Sequence, residues 1–246
     1  MTATREPILN VPAVVVLTLA VLGGIHAFRA YGLPANDDLD LLLRFAFIPA
    51  RYEPSLLPYG AFPGGTPAQV WTFVTYALLH ADIMHLGFNA IWLVAFGTPV
   101  ARRFGPLRFL AFLAATAAGG AAVHLASHVG QMVPMIGASA AVSGAMAAAM
   151  RFAFQRGGPI GLRGADEAAY RIPAIPLRAA LSDPRILGFL AVWFGINLVF
   201  GLGSVSIAGS EQPVAWQAHV GGFVSGLVLF GLFDPVREPV AADTDR

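Results

Sequence analysis

The chain has no cysteine, which excludes disulfides and thiolate metal sites and leaves the redox compartment unreadable. It has no lysine either; all fifteen basic residues are arginine. Charge is scarce overall. Charged residues make up 12% of the 246, against about 25% in an ordinary soluble domain. The net charge of +1 lacks the basic excess that nucleic-acid binding asks for. No polar stretch is long enough for a separate soluble domain. No repeat relates the two halves, which argues against a transporter built from inverted repeats.

What is present is apolar. Hydrophobic residues account for 57% of the chain, gathered in uncharged runs. About 20 such residues cross a bilayer. We read an all-α polytopic membrane protein: one membrane domain over 1–246, with a six-helix core over about 7–234 and a short polar tail over 235–246. The spans expected are 7–28, 83–101, 109–130, 134–150, 186–203 and 213–233. A cleaved signal peptide is the alternative for the first, because Arg5 precedes the apolar run. Residues 29–70 read as a loop. Within it Asn36, Asp37 and Asp38 are placed to cap a short helix whose apolar face (Leu41, Leu42, Leu43, Phe45) would lie in the interface, with Pro49 ending it. Pro54, Pro58, Pro63, Gly64 and Gly65 then interrupt regular structure.

Arginine placement orients the bundle. Arg102, Arg103 and Arg108 follow span two, and six arginines lie between spans four and five, whereas the links after spans three and five hold none. By the positive-inside rule both basic loops are cytoplasmic, and so are both termini. The first loop, with Arg29, Arg44 and Arg51, dissents mildly. Spans two, four and six then run from outside to inside, and polar residues near their N-terminal ends share one depth. These are His80, His85 and Asn89; Ser139 and Ser143; and His219. Polar groups inside a membrane are costly and mark function.

Ser139 needs a base, and His219 stands at a matching depth. Span six carries Ala218, Gly222 and Gly226, and span four Ser139, Ser143 and Ala147, both at four-residue spacing. Such small faces let backbones come close. The uncharged runs hold no carboxylate to orient His219, so a Ser139–His219 dyad is expected rather than a full triad. The Ser139 N–H, at a helix start, and His85 with Asn89, on one helix face, are candidate oxyanion donors. A metal site is the rival. His80 and His85 are five apart and His124 and His128 four apart, but zinc wants three or four ligands and no H-E-x-x-H is present. His26, His124 and His128 read as structural. No metal or other cofactor is expected.

The motifs His80-Ala-Asp-Ile-Met-His85-Leu-Gly-Phe-Asn89, Gly137-Ala138-Ser139-Ala140 and Ala218-His219-Val220-Gly221-Gly222-Phe223, in this order, resemble the rhomboid intramembrane serine proteases. The resemblance covers about 70–234. It implies a compact six-helix bundle with a short central fourth helix and a catalytic site in a water-filled cavity below the outer surface. It further implies Ser139 as nucleophile, His219 as base, His85 and Asn89 beside the oxyanion, and His80 near the site in a less direct role. The first loop would be the family's membrane-lying hairpin, and the link before His219 its cap. Two positions depart: Ala140 stands where the family usually has glycine, and Ser143 where an aromatic often stacks on the histidine. Ser143 instead offers a hydroxyl to His219. The function implied is cleavage of transmembrane segments of membrane-protein substrates near the outer face, without cofactor, in a bacterial cell membrane. The alternative is an inactive rhomboid-like protein that binds transmembrane clients. Substrate, entry route and oligomeric state are not legible.

Overall fold

The computed structural model describes residues 11–53, 55, 62–159, 167–201 and 214–236. Among them the chain is helical, with only an isolated bridge between Phe47 and Met135. Helix α1 (Ala13–Ala27) runs on through a π-helical turn to Gly32. Next come α2 (Ala35–Phe45), a 3₁₀ turn at Pro49–Tyr52, and α3 (Gly65–Thr75). Helices α4 (Ile83–Trp92) and α5 (Thr98–Phe104) form one span of 22 residues, joined by a π turn over Leu93–Gly97. Pro99 explains the turn: it has no N–H to return to Ala95, so the helical ladder loosens there. Then follow α6 (Pro106–Ser127), α7 (Ser139–Met150), the single turn α8 (Leu177–Ala180), α9 (Pro184–Gly201) and α10 (Trp216–Phe233).

Among the described residues, four helical segments are long and apolar enough to cross a membrane: Ala13–Gly32, Ile83–Phe104, Pro106–Ser127 and Trp216–Phe233. The apolar helices α7 and α9 bring the bundle to six. Large side chains such as Leu17, Leu107, Val228 and Leu232 point outward, more than 60% exposed. A surface so apolar suits lipid, and the chain is a multi-pass integral membrane protein.

Several expectations need correction. The span expected over 134–150 begins as helix only at Ser139. Pro134 disfavours helix in the residue before it, and Gly137 stands at φ +118°, so the lead-in is extended. The region expected as a loop holds two helices. Pro34 rather than an Asn or Asp occupies the N-cap of α2, and Asp38 instead receives Arg29 Nε at 2.7 Å. α2 stops at Phe45, ahead of Pro49, and α3 starts at the very glycines expected to break structure. Gly64, at φ 92°, serves there as a left-handed N-cap. Arg103 lies not in a loop but in the last turn of α5, fully buried against Asp234 with Nη2–Oδ2 at 2.8 Å. Pro7, Pro54, Pro58, Gly203, Glu211, Pro213, the cap-like link over 202–213 and the tail from 237 lie outside the described residues.

The centre of the bundle is α7, sheathed on nearly every side: eleven of its twelve residues, Ala140 to Met150, are buried. Side-chain size decides how close its neighbours come. A Cβ on Gly222 of α10 would strike the Ala140 carbonyl, and one on Gly226 would fall 2.5 Å from the Gly144 carbonyl oxygen. On the other side, a Cβ on Gly120 of α6 would meet the Ala140 methyl at 2.5 Å. Backbone contact therefore replaces side-chain interdigitation where α6, α7 and α10 cross. The face of α7 that meets Gly222 and Gly226 is Ala140/Gly144, one residue round from the expected Ser139/Ser143/Ala147 stripe. That offset carries Ser139 to the edge of the contact.

Candidate active site

Ser139 is the first residue of α7, and the segment before it is held from two sides. Phe47 exchanges backbone hydrogen bonds with Met135: N to O at 3.1 Å one way and 2.8 Å the other. The Gly137 N–H donates to the Tyr76 carbonyl at 3.0 Å, while the Tyr76 hydroxyl donates to the Ala117 carbonyl at 2.9 Å. Phe47 is wholly buried in an aromatic cluster with Tyr52, Phe73 and Tyr76, so this anchor is rigid. The segment between α1 and α4 thus fixes the chain that delivers Ser139.

His219 lies in the first turn of α10, and its Nε2 stands 2.7 Å from Ser139 Oγ. Eighty residues of sequence separate the two, and both are half-buried. Ala218 is buried against α6, and Gly222 passes the Ala140 carbonyl, so the His219 register is set by the same close packing that places Ser139.

Asp82 caps α4, its Oδ1 accepting the His85 N–H at 2.8 Å. The His85 imidazole packs on Gly137, two residues before Ser139: a Cβ there would lie 2.6 Å from His85 Nε2. Gly137 is therefore needed twice, for its positive φ and for the ring that occupies its missing side chain. Asn89, one turn further on, is buried and donates one Nδ2 hydrogen to the His85 carbonyl at 3.0 Å. An amide nitrogen carries two hydrogens, so this bond leaves Asn89 a second donor. His80 is fully buried, with its ring centroid 5.1 Å from that of His85. Its Nε2 faces the Ala138 N–H at 3.5 Å, and its backbone carbonyl accepts from Arg29 Nη1 at 2.9 Å. His80 thus braces the turn that leads into Ser139.

Ser143 does not reach His219. Its hydroxyl donates to the Ser139 carbonyl at 2.7 Å, one turn back within α7. A serine inside an apolar helix satisfies itself this way when no better acceptor faces it. The Ala140 methyl is accommodated because it faces Gly120.

The sequence reading passed over Asn197 on α9. Its Oδ1 accepts from His219 Nδ1, while its Nδ2 donates to the Trp193 carbonyl at 2.8 Å. One turn deeper, Trp193 stacks on Phe223 of α10 with centroids 5.0 Å apart, setting the register between the two helices. The signal was available. Asn197 is an amide inside an otherwise apolar run, but it sits near the C-terminal end of an odd-numbered span. Matching depth among the N-terminal ends of even spans does not reach it.

His124 and His128 bond locally. His124 Nε2 pairs with the Val133 carbonyl at 3.2 Å and His128 Nδ1 with the His124 carbonyl at 3.1 Å. Among the described residues, no three His, Asp or Glu side chains gather as a metal-holding group.

Residues 67–234 match the Rhomboid domain family profile. The chain is 36% identical over 96 residues to the rhomboid protease GluP of Bacillus subtilis, covering 38% of this chain and 18% of that protein. It is 37% identical over 76 residues to human Rhomboid-related protein 3, covering 30% of this chain and 18% of that one. It is also 44% identical over 57 residues to the mitochondrial RHOMBOID-like protein 12 of Arabidopsis thaliana, covering 23% and 17% respectively. The chain thus spans less than a fifth of each of these relatives. The domain match takes in α4 through α10, with Ser139, His219, His85 and Asn89 all inside it, and on that match the chain belongs to the rhomboid family.

Proposed function

We propose that this chain is an intramembrane serine endopeptidase that cuts transmembrane segments of membrane-protein substrates near the outer face of a bacterial cell membrane. The observation that carries the reading is the 2.7 Å contact between Ser139 Oγ and His219 Nε2. It is a hydroxyl in hydrogen-bond reach of an imidazole base, in a family made up mostly of serine intramembrane proteases. Ser139 Oγ attacks the carbonyl carbon of the scissile amide as its proton passes to His219 Nε2. The tetrahedral oxyanion collapses, and the leaving amine takes that proton from the imidazolium. Water then attacks the acyl-enzyme, giving a proton to Nε2; the second oxyanion collapses, the bond between the acyl carbon and Oγ breaks, and the imidazolium returns that proton to Ser139 Oγ. The Ser139 N–H, with no intrahelical acceptor at the first turn of α7, is an oxyanion donor, with His85 and Asn89 beside it. No cofactor takes part. Both termini face the cytoplasm, and the α6–α7 link faces out.

The Ala140 and Ser143 departures do not favour the inactive-binder alternative, because neither displaces a reacting group: Ala140 packs on Gly120 and Ser143 bonds within α7. The test is cleavage of a transmembrane reporter in detergent by the wild type and by Ser139→Ala. Cleavage by the wild type alone is expected. Equal cleavage by both would sink the nucleophile assignment, and cleavage by neither would favour the binding protein.

A further inference from the structure

We infer that Asn197 is a positioning residue of the active site: it holds His219 in the one tautomer that can act as a base toward Ser139. The inference rests on the protease reading above. An Asn amide can be turned either way, and the surroundings decide which. Here the Trp193 carbonyl at 2.8 Å accepts from one end of the amide, so that end is Nδ2. The end facing His219 is then the carbonyl oxygen, which only accepts. His219 Nδ1 must supply the hydrogen. A neutral imidazole carries one hydrogen, so Nε2 bears the lone pair, and Nε2 is the atom 2.7 Å from Ser139 Oγ. Trp193 is one turn behind Asn197, and Phe223 one turn beyond His219. Their stacked rings, 5.0 Å apart, keep α9 and α10 in the register the pair requires.

The bond fixes more than a tautomer. The imidazole turns freely about two side-chain bonds, and a hydrogen bond at Nδ1 holds the ring plane so that Nε2 stays aimed at the serine. Asn197 is itself buried, at 7% exposure, so little water competes for Nδ1. The opposite tautomer would leave the Asn197 oxygen facing a bare lone pair and would point an N–H at Ser139, where a base is needed. Unlike a carboxylate, the amide brings no charge into the bundle, where an ionised group would be expensive. The arrangement is thus a serine–histidine–asparagine relay of hydrogen bonds, with the asparagine acting only through the histidine.

The test uses the full chain in detergent, labelled with nitrogen-15 histidine. At a pH where His219 is neutral, the wild-type spectrum is expected to show its Nδ1 protonated and its Nε2 bare, the signals being those lost in His219→Gln. A hydrogen on Nε2 instead would overturn the inference, and this reading needs no Asn197 variant to fold. Asn197→Leu, close in size but without an acceptor, is expected to lower kcat on a transmembrane reporter by about 10²-fold, the low end of what a positioned general base supplies. KM should stay within about threefold, since the residue does not touch substrate. The His219 nitrogens should lose their preference in the same variant. Asn197→Asp restores an acceptor oxygen at Nδ1 and is expected to recover activity to within about tenfold of wild type. Wild-type kcat in Asn197→Leu would overturn the proposal. If the wild type were no more active than Ser139→Ala, the protease reading would fail on its own, and the nitrogen spectrum would still decide the tautomer.

Discussion

At the residue scale the site depends on a few atoms whose positions are set by what is missing beside them. Gly137 lacks a side chain where φ is +118° and where the His85 ring lies. Gly137→Ala should therefore cut turnover by at least about tenfold, equal to 1.4 kcal/mol, through strain and a displaced His85. Cleavage of the same reporter measures it, and unchanged turnover would show that the turn tolerates the methyl. Ser143→Ala is the quiet counterpart. Its hydroxyl bonds only within α7, so the loss should stay below about tenfold. A complete loss would mean that the wrong serine had been chosen. His85→Ala and Asn89→Ala should each lower kcat more than they raise KM, because an oxyanion donor acts mainly in the transition state. Ser139, His219, His85 and Asn89 were legible in the sequence because polar groups in apolar runs are few. Asn197 is just as polar, but it stands at a helix end, where a depth match among helix starts does not reach. Ser143's partner was not legible at all: whether a hydroxyl turns inward along its own helix or across to a neighbour is a matter of a rotamer, which spacing does not record.

At the scale of elements, α10 lies against α7 and α6 through glycine. Small residues at 218, 222 and 226 announce such a face in the sequence, but not which stripe of the partner it meets. A stripe of α7 is small all round, so periodicity could not choose between Ser139/Ser143/Ala147 and Ala140/Gly144. Backbone approach chose the latter, as the Gly222 and Gly226 contacts record. Gly222→Leu should lower thermal stability by about 1–3 kcal/mol and abolish cleavage, since the obstacle is the Ala140 main chain next to Ser139. Unchanged melting and activity would place this face toward lipid. α7 starts five residues into its apolar run for a related reason: hydropathy measures how apolar a stretch is, not whether it is coiled. Only Pro134 and Gly137 hinted at an extended lead-in, and the pairing of Phe47 with Met135 that stabilises it joins segments far apart in the chain.

At the scale of the whole molecule, six apolar helices in this order were readable because lipid exposure imposes apolar runs and the arginines lie between them. Less readable was how the basic end is tied together. Arg103, its side chain wholly buried, pairs with Asp234 and donates to the Tyr170 and Ile172 carbonyls at 2.9 and 2.8 Å. It joins α5, the α7–α9 link and the end of α10. A charge count alone places it in the loop after span two. Asp234→Leu should destabilise the fold by about 3 kcal/mol, because it strands a buried guanidinium. Thermal unfolding in detergent reads this, and unchanged melting would show that the two backbone carbonyls suffice. With no native cysteine, orientation is also testable. Cysteine at Val129 should react with an impermeant thiol reagent in intact cells, and cysteine at Gly157 should not. The reverse pattern would invert the bundle.

The central claim is that His219 makes Ser139 a nucleophile, and the most direct measurement is a fluorophosphonate probe on the intact protein followed by mass mapping of the adduct. The account predicts one adduct, on Ser139, lost in Ser139→Ala and in His219→Ala, retained in Ser143→Ala, and insensitive to EDTA. An adduct on another serine, or labelling and reporter cleavage that EDTA abolishes and zinc restores, would contradict it.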